Sequence, residues 1–376
     1  MRNSAVLAVR RGWVCGLLFL AVSAVAFSAP PVTGAGAGEE SRIPFERRYH
    51  AVQHGGIARA ANSAVSCRTV TARTPRSCVS ARAGAAAANQ RFEMFYADVD
   101  KDRNTYNSTR AGLRLPAGSR VSYARLYWGG NLLVGEQKPA GDSGQVLFAE
   151  PGGQYKWVHA DSLIGHRTGD GADAFQASAD VTPIVRNSGP GMYTVAQINV
   201  AMGRSEVGAW GGWSLVVAYE KDDAPLRHLS LWDGFESVGT DGGHRARTQV
   251  RARTQVDVGP LRVPARAAGR LGVVAYDGDR GVRGDSLTAQ TDRGKRVTLS
   301  NKSNPSDDVM NSSIAEFGAS VMKRQPSYAN TLGYDADVFD LRGAFVSGGD
   351  RLSVRFSSKR DSVWLGAFFV EADARS

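Results

Sequence analysis

From residue 90 onward, apolar and polar residues alternate in short runs separated by turn residues. In SRVSYARLYWGG, Val121, Tyr123, Arg125 and Tyr127 share one face, and Ala124, Leu126 and Trp128 the other. That period of two belongs to a strand. RFEMFYADV, MYTVAQINVAMG, RLGVVAYDG and DRLSVRFSS read the same way. GGWSLVVAYE and SVWLGAFFVEA are almost continuously apolar, as in strands covered on both faces. No long run shows the 3.6-residue spacing of an amphipathic helix. The pattern predicts an all-β fold: an antiparallel β-sandwich, jelly-roll-like, over residues 90–376, as one domain or two. The 43 glycines against 14 prolines suit many short strands joined by turns. One helical turn is expected in DVTPIVRNSGPG, with Thr182 as N-cap, Pro183 at the first helical position and Gly189 as stop.

Three segments precede the sandwich. Residues 1–29 read as a secretory signal peptide: Arg2, Arg10 and Arg11 lie before or at the start of the apolar run GWVCGLLFLAVSAVAF, and Ala24-Val25-Ala26 offers a small-residue cleavage site. The run is shorter than the roughly 20 apolar residues of a membrane span. Residues 30–40, PPVTGAGAGEE, read as a disordered linker. Residues 41–89 read as a basic arm, in which eight arginines between Arg42 and Arg82 face Glu46 alone. Cys67 and Cys78, the pair left once the signal is removed, predict a disulfide in an oxidising compartment. The basic excess of this arm favours an anionic wall polymer or glycan as partner, with no nucleic acid outside the cell. A solvated arm without a partner is the plainer alternative. The hexapeptide RARTQV occurs twice in succession over residues 245–256; an even repeat keeps its faces in a strand and suits a hairpin arm or an extended loop.

The stretch VVAYDGDRGVRGDSLTA, residues 273–289, supports several readings. Gly284-Asp285-Ser286-Leu287 matches the serine block of a hydrolase family, but a serine nucleophile needs a histidine base. All six histidines, His50, His54, His159, His166, His228 and His244, precede Ser286, whereas that family places its histidine after the serine. Arg283-Gly284-Asp285 is an adhesion tripeptide that arises easily by chance in an arginine- and glycine-rich chain. Asp277, Asp279 and Asp285 could ligate calcium from a glycine-rich connection, since hard cations take oxygen ligands. A second candidate calcium loop is ADVDKDRNTYNST, with Asp98, Asp100, Asp102 and Asn104 at alternate positions; Arg103 and Thr109 break the pattern later. In GYDADVFDL, alternation puts Asp335 and Asp337 on one face of a strand, with Asp340 beyond. The most economical reading of 273–289 is strand, glycine-rich turn, strand.

Of the tryptophans, Trp210 and Trp213 flank a Gly-Gly pair and are the candidates for an exposed ligand surface.

The segments ARLYWGGN, ADVTPIVRNSGPGMYTVAQINV, GGWSLVVAYEKDDAPLRHLSLWDGF, LGVVAYDGDRGVRGDSL, NPSDDVMNSSI and NTLGYDADVFDL resemble, in order and spacing, an uncharacterised β-rich module of secreted actinobacterial surface proteins. That module often stands ahead of Ig-like or isopeptide-forming repeats. The resemblance implies a secreted or wall-associated location and transfers no functional residue. Together these readings predict a non-catalytic envelope or surface module for recognition or adhesion. The alternatives are a secreted hydrolase using Ser286 or a carboxylate pair, and a structural coat component.

Overall fold

Alternation along the longest strands is resolved in space by two different cores, one on each face. In a computed structural model describing residues 42–68, 77–100, 102–167, 171–239 and 253–375, the chain is built mainly of strands. Residues 1–29, the linker 30–40 and the first copy of the duplicated hexapeptide lie outside the described residues.

The strands are β1 (Arg42–Ser63), β2 (Val65–Cys67), β3 (Met94–Tyr96), β4 (Ser108–Leu113), β5 (Arg120–Asn131), β6 (Gln145–Ala149) and β7 (Lys156–His159). They continue with β8 (Ser162–Arg167), β9 (Asp173–Asp180), β10 (Gly191–Ala196), β11 (Gly211–Glu220), β12 (Leu226–Val238), β13 (Arg253–Val258), β14 (Gly269–Tyr276) and β15 (Ser286–Thr291). The last are β16 (Val297–Leu299), β17 (Ala315–Glu316), β18 (Ala319–Ser320), β19 (Arg324–Gln325), β20 (Tyr334–Asp340), β21 (Leu352–Ser357) and β22 (Val363–Asp373). The described residues also form two short α-helices, α1 (Cys78–Arg82) and α2 (Thr182–Ser188), and two 3-10 turns, Asn89–Arg91 and Ala140–Gly144.

The main sheet runs β18-β17-β20-β14-β22-β12-β1-β11-β5-β9-β8. It is two half-sheets joined by β1. Residues 42–54 of β1 pair with β12, and residues 55–63 pair with β11. A five-stranded sheet, β19-β4-β10-β6-β7, packs on the half containing β11, β5 and β9. A four-stranded sheet, β13-β21-β15-β16, packs on the half containing β14 and β22. The two half-sheets meet through their other faces in a third core.

The apolar runs follow from this layering. In β11, Trp213, Leu215 and Val217 join the first core while Val216 and Ala218 join the third. In β14, Leu271, Val273 and Ala275 face the four-stranded sheet while Val274 and Tyr276 face inward. A strand buried on both faces loses the polar half of its alternation. The expected sandwich is therefore present twice over, around a shared sheet.

The arm expected over residues 41–89 is not separate from the sandwich. Its first stretch is β1, in the middle of the main sheet, and three of its arginines bond within the fold. Arg48 pairs with Asp233, Arg59 donates to the Ala315 carbonyl, and Arg82 donates to Ser66 Oγ and the Cys67 carbonyl. The Cys67–Cys78 disulfide is formed, with Cα atoms 5.7 Å apart, and ties β2 to α1 inside the first core. The helix expected near residue 182 begins one residue early. Val181 is the cap residue, and Thr182 turns its hydroxyl to Ala124 in β5.

Candidate functional site

Residues 277–285 connect β14 to β15, as the glycine-rich turn predicted. Seven aspartates gather around this connection: Asp277, Asp279 and Asp285 from it, Asp308 from the loop before β17, Asp335 and Asp337 from β20, and Asp361 ahead of β22. Asp279, Asp285, Asp308, Asp335, Asp337 and Asp361 are buried. Among the described residues, no ion pair engages any of the seven.

Their oxygens are held mainly by main-chain donors. Asn89 takes two of them: its N–H donates to Asp279 Oδ1 at 3.0 Å and its side-chain amide to Asp277 Oδ1 at 2.8 Å. Val309 N and Met310 N donate to Asp285 Oδ2 at 3.0 and 2.7 Å. Gly281 N holds Asp308 Oδ2 at 3.0 Å. Ser313 bridges the strand pair, its N–H to Asp335 Oδ1 at 2.9 Å and its hydroxyl to Asp337 Oδ1 at 3.0 Å. Asp335 and Asp337 thus share one face of β20, while Asp340 is exposed and pairs with Arg342. Buried oxygens without a hydrogen-bond partner include Asp285 Oδ1, Asp308 Oδ1 and Asp335 Oδ2.

Burial disfavours the charged form of each carboxyl. It pushes Asp279, Asp285 and Asp337 up to about 7. Asp277 is raised well above the carboxylate range by burial and then by Asp279; Asp335 by burial and then by Asp337; Asp361 by burial and then by Asp279. Asp277 also holds a left-handed backbone, φ 64°.

The proposed calcium triad of Asp277, Asp279 and Asp285 is split. The first two turn to Asn89, whereas Asp285 turns to residues 309–310. In the other predicted loop, Asp98 Oδ1 accepts from Ser108 Oγ; Asp100 accepts from Asp102 N, Thr105 Oγ1 and the Tyr155 hydroxyl; and Asp102 Oδ1 accepts from both nitrogens of Asn104. Those four side chains serve local turns instead of converging on one point. Among the described residues, no three His, Cys, Asp or Glu side chains form a metal-holding group.

The expected tryptophan surface is corrected outright. Trp210 and Trp213 are both 0% exposed. Trp213 Nε1 donates to Thr109 Oγ1 at 2.8 Å, and Trp210 packs against Tyr276 and Trp364. The Gly-Gly pair between them reflects crowding, not a mobile loop: a Cβ on Gly212 would lie 2.6 Å from the Asn62 carbonyl oxygen. Among the described residues, Trp157, in β7, is instead the exposed indole, at 54%. Ser286 Oγ meets Ser357 Oγ at 3.0 Å across the β15–β21 pair. His244 lies outside the described residues.

A groove of about 710 Å³ lies on the main sheet, beside the β17–β18 hairpin. Arg59 and Arg270 form part of its wall, the latter paired with Glu371 and Glu316. Arg114 and Lys323 also line it, and both are exposed. Among the described residues, no ion pair engages either. Phe317 occupies the hairpin turn with φ 50°, next to Gly318 at φ 82°, and is 51% exposed. Two successive positive φ values suit a hairpin turn of the primed type, which favours Asn-Gly over a bulky aromatic. The sequence signals for this site were weak, because Arg114 is distant in the chain from Phe317 and Lys323, and the three belong to no motif.

No family model matches the sequence, and no curated protein matches it. Among solved structures, the chain is similar to PNGase F, a glycosylasparaginase from Flavobacterium meningosepticum, at 10% identity and a TM-score of 0.23, covering 74% of this chain and 95% of that one. It is also similar to a chain of the Sulfolobus Turreted Icosahedral Virus at 8% identity and a TM-score of 0.20, covering 85% and 91%. Scores this low carry no argument about fold or activity. Among the described residues, no helix is long and apolar enough to cross a membrane.

Proposed function

We propose that this chain is a non-catalytic, secreted envelope module that recognises an anionic wall polymer or glycan, and that the groove beside the β17–β18 hairpin receives it. The carrying observation is the pairing of two exposed cations, Arg114 and Lys323, with Phe317 held in a left-handed turn at the groove's lip. Cations of this kind attract phosphate or carboxylate groups, and an aromatic face stacks on sugar rings. A bulky residue in an unfavourable backbone region at a surface site points to a role outside folding. The signal-type leader and the disulfide support secretion. Because Arg48, Arg59 and Arg82 of the arm are engaged within the fold, the groove is preferred to the arm as the contact for the polymer.

The test is retention on isolated cell wall, before and after its anionic polymer is stripped chemically. Stripping should abolish retention. The double variant Arg114→Ala/Lys323→Ala should lose roughly tenfold in affinity, equivalent to about 1.4 kcal/mol. Equal retention of the variant, or retention on stripped wall, rejects the groove.

A further inference from the structure

We propose that a second groove, on the outer face of the four-stranded sheet, binds an uncharged saccharide chain through Asp257, Ser353, Gln290 and Arg351. It has a volume of about 700 Å³ and shares no lining residue with the groove beside the β17–β18 hairpin. The strand register builds its floor. β13 pairs with β21 and β21 with β15, so side chains stand in rows across three strands. The inward row Val256–Val354–Ala289 closes the second core. The outward rows are polar: Asp257–Ser353–Gln290, then Gln255–Arg355–Thr288. The first of these rows and Gln255 line the groove.

A polar outer face is ordinary for a sheet that water covers. Here its side chains are tied to one another. Arg355 Nη2 donates to Gln255 Oε1 at 2.8 Å. Gln255 Nε2 donates to Asp257 Oδ1 and Oδ2 at 2.9 and 3.2 Å, and the Ser353 hydroxyl donates to Asp257 Oδ1. Gln255 and Asp257 are exposed, so water could serve these groups, and holding them costs side-chain entropy. The network fixes the Asp257 carboxylate in one orientation, which spares a ligand the cost of ordering it. The rim is equally fixed. Asp292 Oδ1 accepts from the Asp350 N–H at 2.9 Å, and the Leu261 N–H donates to the Asp350 carbonyl at 2.8 Å. Those bonds pin the turn that carries Arg351. Arg351 is exposed, and among the described residues no ion pair engages it.

This chemistry selects hydroxyl groups. Asp257 accepts, Arg351 donates, and Gln290 and Ser353 do both, as a sugar hydroxyl does. Pro260, in the wall, offers an apolar surface to the C–H side of a ring. The charged lining residues are two carboxylates, Asp257 and Asp292, and one guanidinium, Arg351, so a polyanion gains nothing here. An extended peptide docks by main-chain pairing along a strand edge. This groove opens instead on a face whose main chain is already paired between β13, β21 and β15. Rows about 7 Å apart along the strands make a polar surface longer than one sugar ring, so a chain suits it better than a monosaccharide.

The test is calorimetric titration of the full chain with cellohexaose, maltohexaose and chitohexaose, and with an oligogalacturonate of equal length as the acidic counterpart. At least one uncharged hexamer should bind with a Kd of about 1 mM or tighter. That Kd should not change between low and high salt, because the ligand carries no charge. The oligogalacturonate should bind more weakly. Asp257→Ala should lose about tenfold in affinity. Gln290→Trp, which fills the groove, should abolish binding. Asp102→Ala, outside the groove, should keep it. Circular dichroism checks the fold of each variant, and if Asp257→Ala does not fold, Gln290→Trp decides. The proposal is overturned if none of the three uncharged hexamers binds, or if the oligogalacturonate binds more tightly. It is equally overturned if the folded groove variants bind like the wild-type chain, or if Asp102→Ala loses binding.

Discussion

The main-chain N–H of Asp279 donates to Asp361 Oδ2 at 2.8 Å, joining the turn after β14 to the loop before β22. Both side chains are buried, and both carboxyls are pushed up: Asp279 to about 7, chiefly by burial, and Asp361 well above its ordinary value, by burial and then by Asp279. Between the unfolded value near 4 and the folded value, the native chain binds protons that the unfolded chain does not. Stability therefore falls as pH rises through that window and levels off above the folded value. In the presence of a chelator, Tm should decline between about pH 4 and 7. Asp361→Asn keeps an oxygen for the Asp279 N–H and should flatten the decline. A Tm that climbs steadily from pH 4 to 7 would sink this account.

A second relationship closes the seam between the half-sheets. Gln176 in β9 donates through Nε2 to the carbonyls of Gly234 and Gly366, both at 3.0 Å, and accepts from the Tyr276 hydroxyl at 3.1 Å. All these groups are buried, so removing the amide strands two carbonyls and a phenol. Gln176→Ala should cost about 3 kcal/mol, read as a shift in urea midpoint at constant slope. Gln176→Glu, which supplies no donor to the two carbonyls, should be no better. A loss below about 1 kcal/mol would mean that water replaces the amide.

How much of this was legible follows from what each residue meets in space. The alternation in RVSYARLYWGG was readable because β5 carries its own pattern, and the 277–285 turn because its glycines punctuate two apolar runs. β1 was not readable, since its charges conceal its role. Arg48 finds its partner 185 residues away, so local sequence shows a free cation where the fold holds a pair. Trp210 and Trp213 were misplaced for the same reason: adjacent glycines look like a loop until Asn62 and Tyr334 are packed against Gly212. The acidic cluster was half legible. Asp277, Asp279 and Asp285 lie together in the chain, but Asp335 and Asp361 join them only through the pairing of β14 with β20 and β22.

Phe317 separates stability from function. A non-glycine residue in the left-handed region costs about 1 kcal/mol, and this one is half exposed, so little burial offsets it. Phe317→Asn restores the preferred turn pair with Gly318 and should raise stability by up to ~1 kcal/mol. The same change should weaken retention on anionic wall. Thermal melts and wall binding measured on one preparation give both readings. A variant that is less stable and binds equally well would remove Phe317 from the site.

The segment read as a basic arm supplies the sharpest stability test. Asp233 in β12 is buried and accepts from Arg48 Nε at 2.8 Å, from Arg48 Nη2 at 2.9 Å and from the Tyr127 hydroxyl at 2.9 Å. Arg125 Nε lies 3.6 Å from the same carboxylate and is itself only 2% exposed. Arg125 keeps Asp161 and Ser178 as partners, but Asp161 is half exposed, so Asp233 is the buried counter-charge. Removing one partner of a buried pair leaves the other uncompensated, which costs more than the pair contributes. Asp233→Ala should therefore destabilise by about 3–5 kcal/mol. Arg48→Ala should cost less, about 1 kcal/mol, because its side chain is partly exposed and Asp233 keeps Tyr127 and Arg125. Their order, measured by denaturant unfolding, is the informative result. If Arg48→Ala proved the more damaging, β1 would be held chiefly by that surface-side cation, and the buried arginine would not govern the seam.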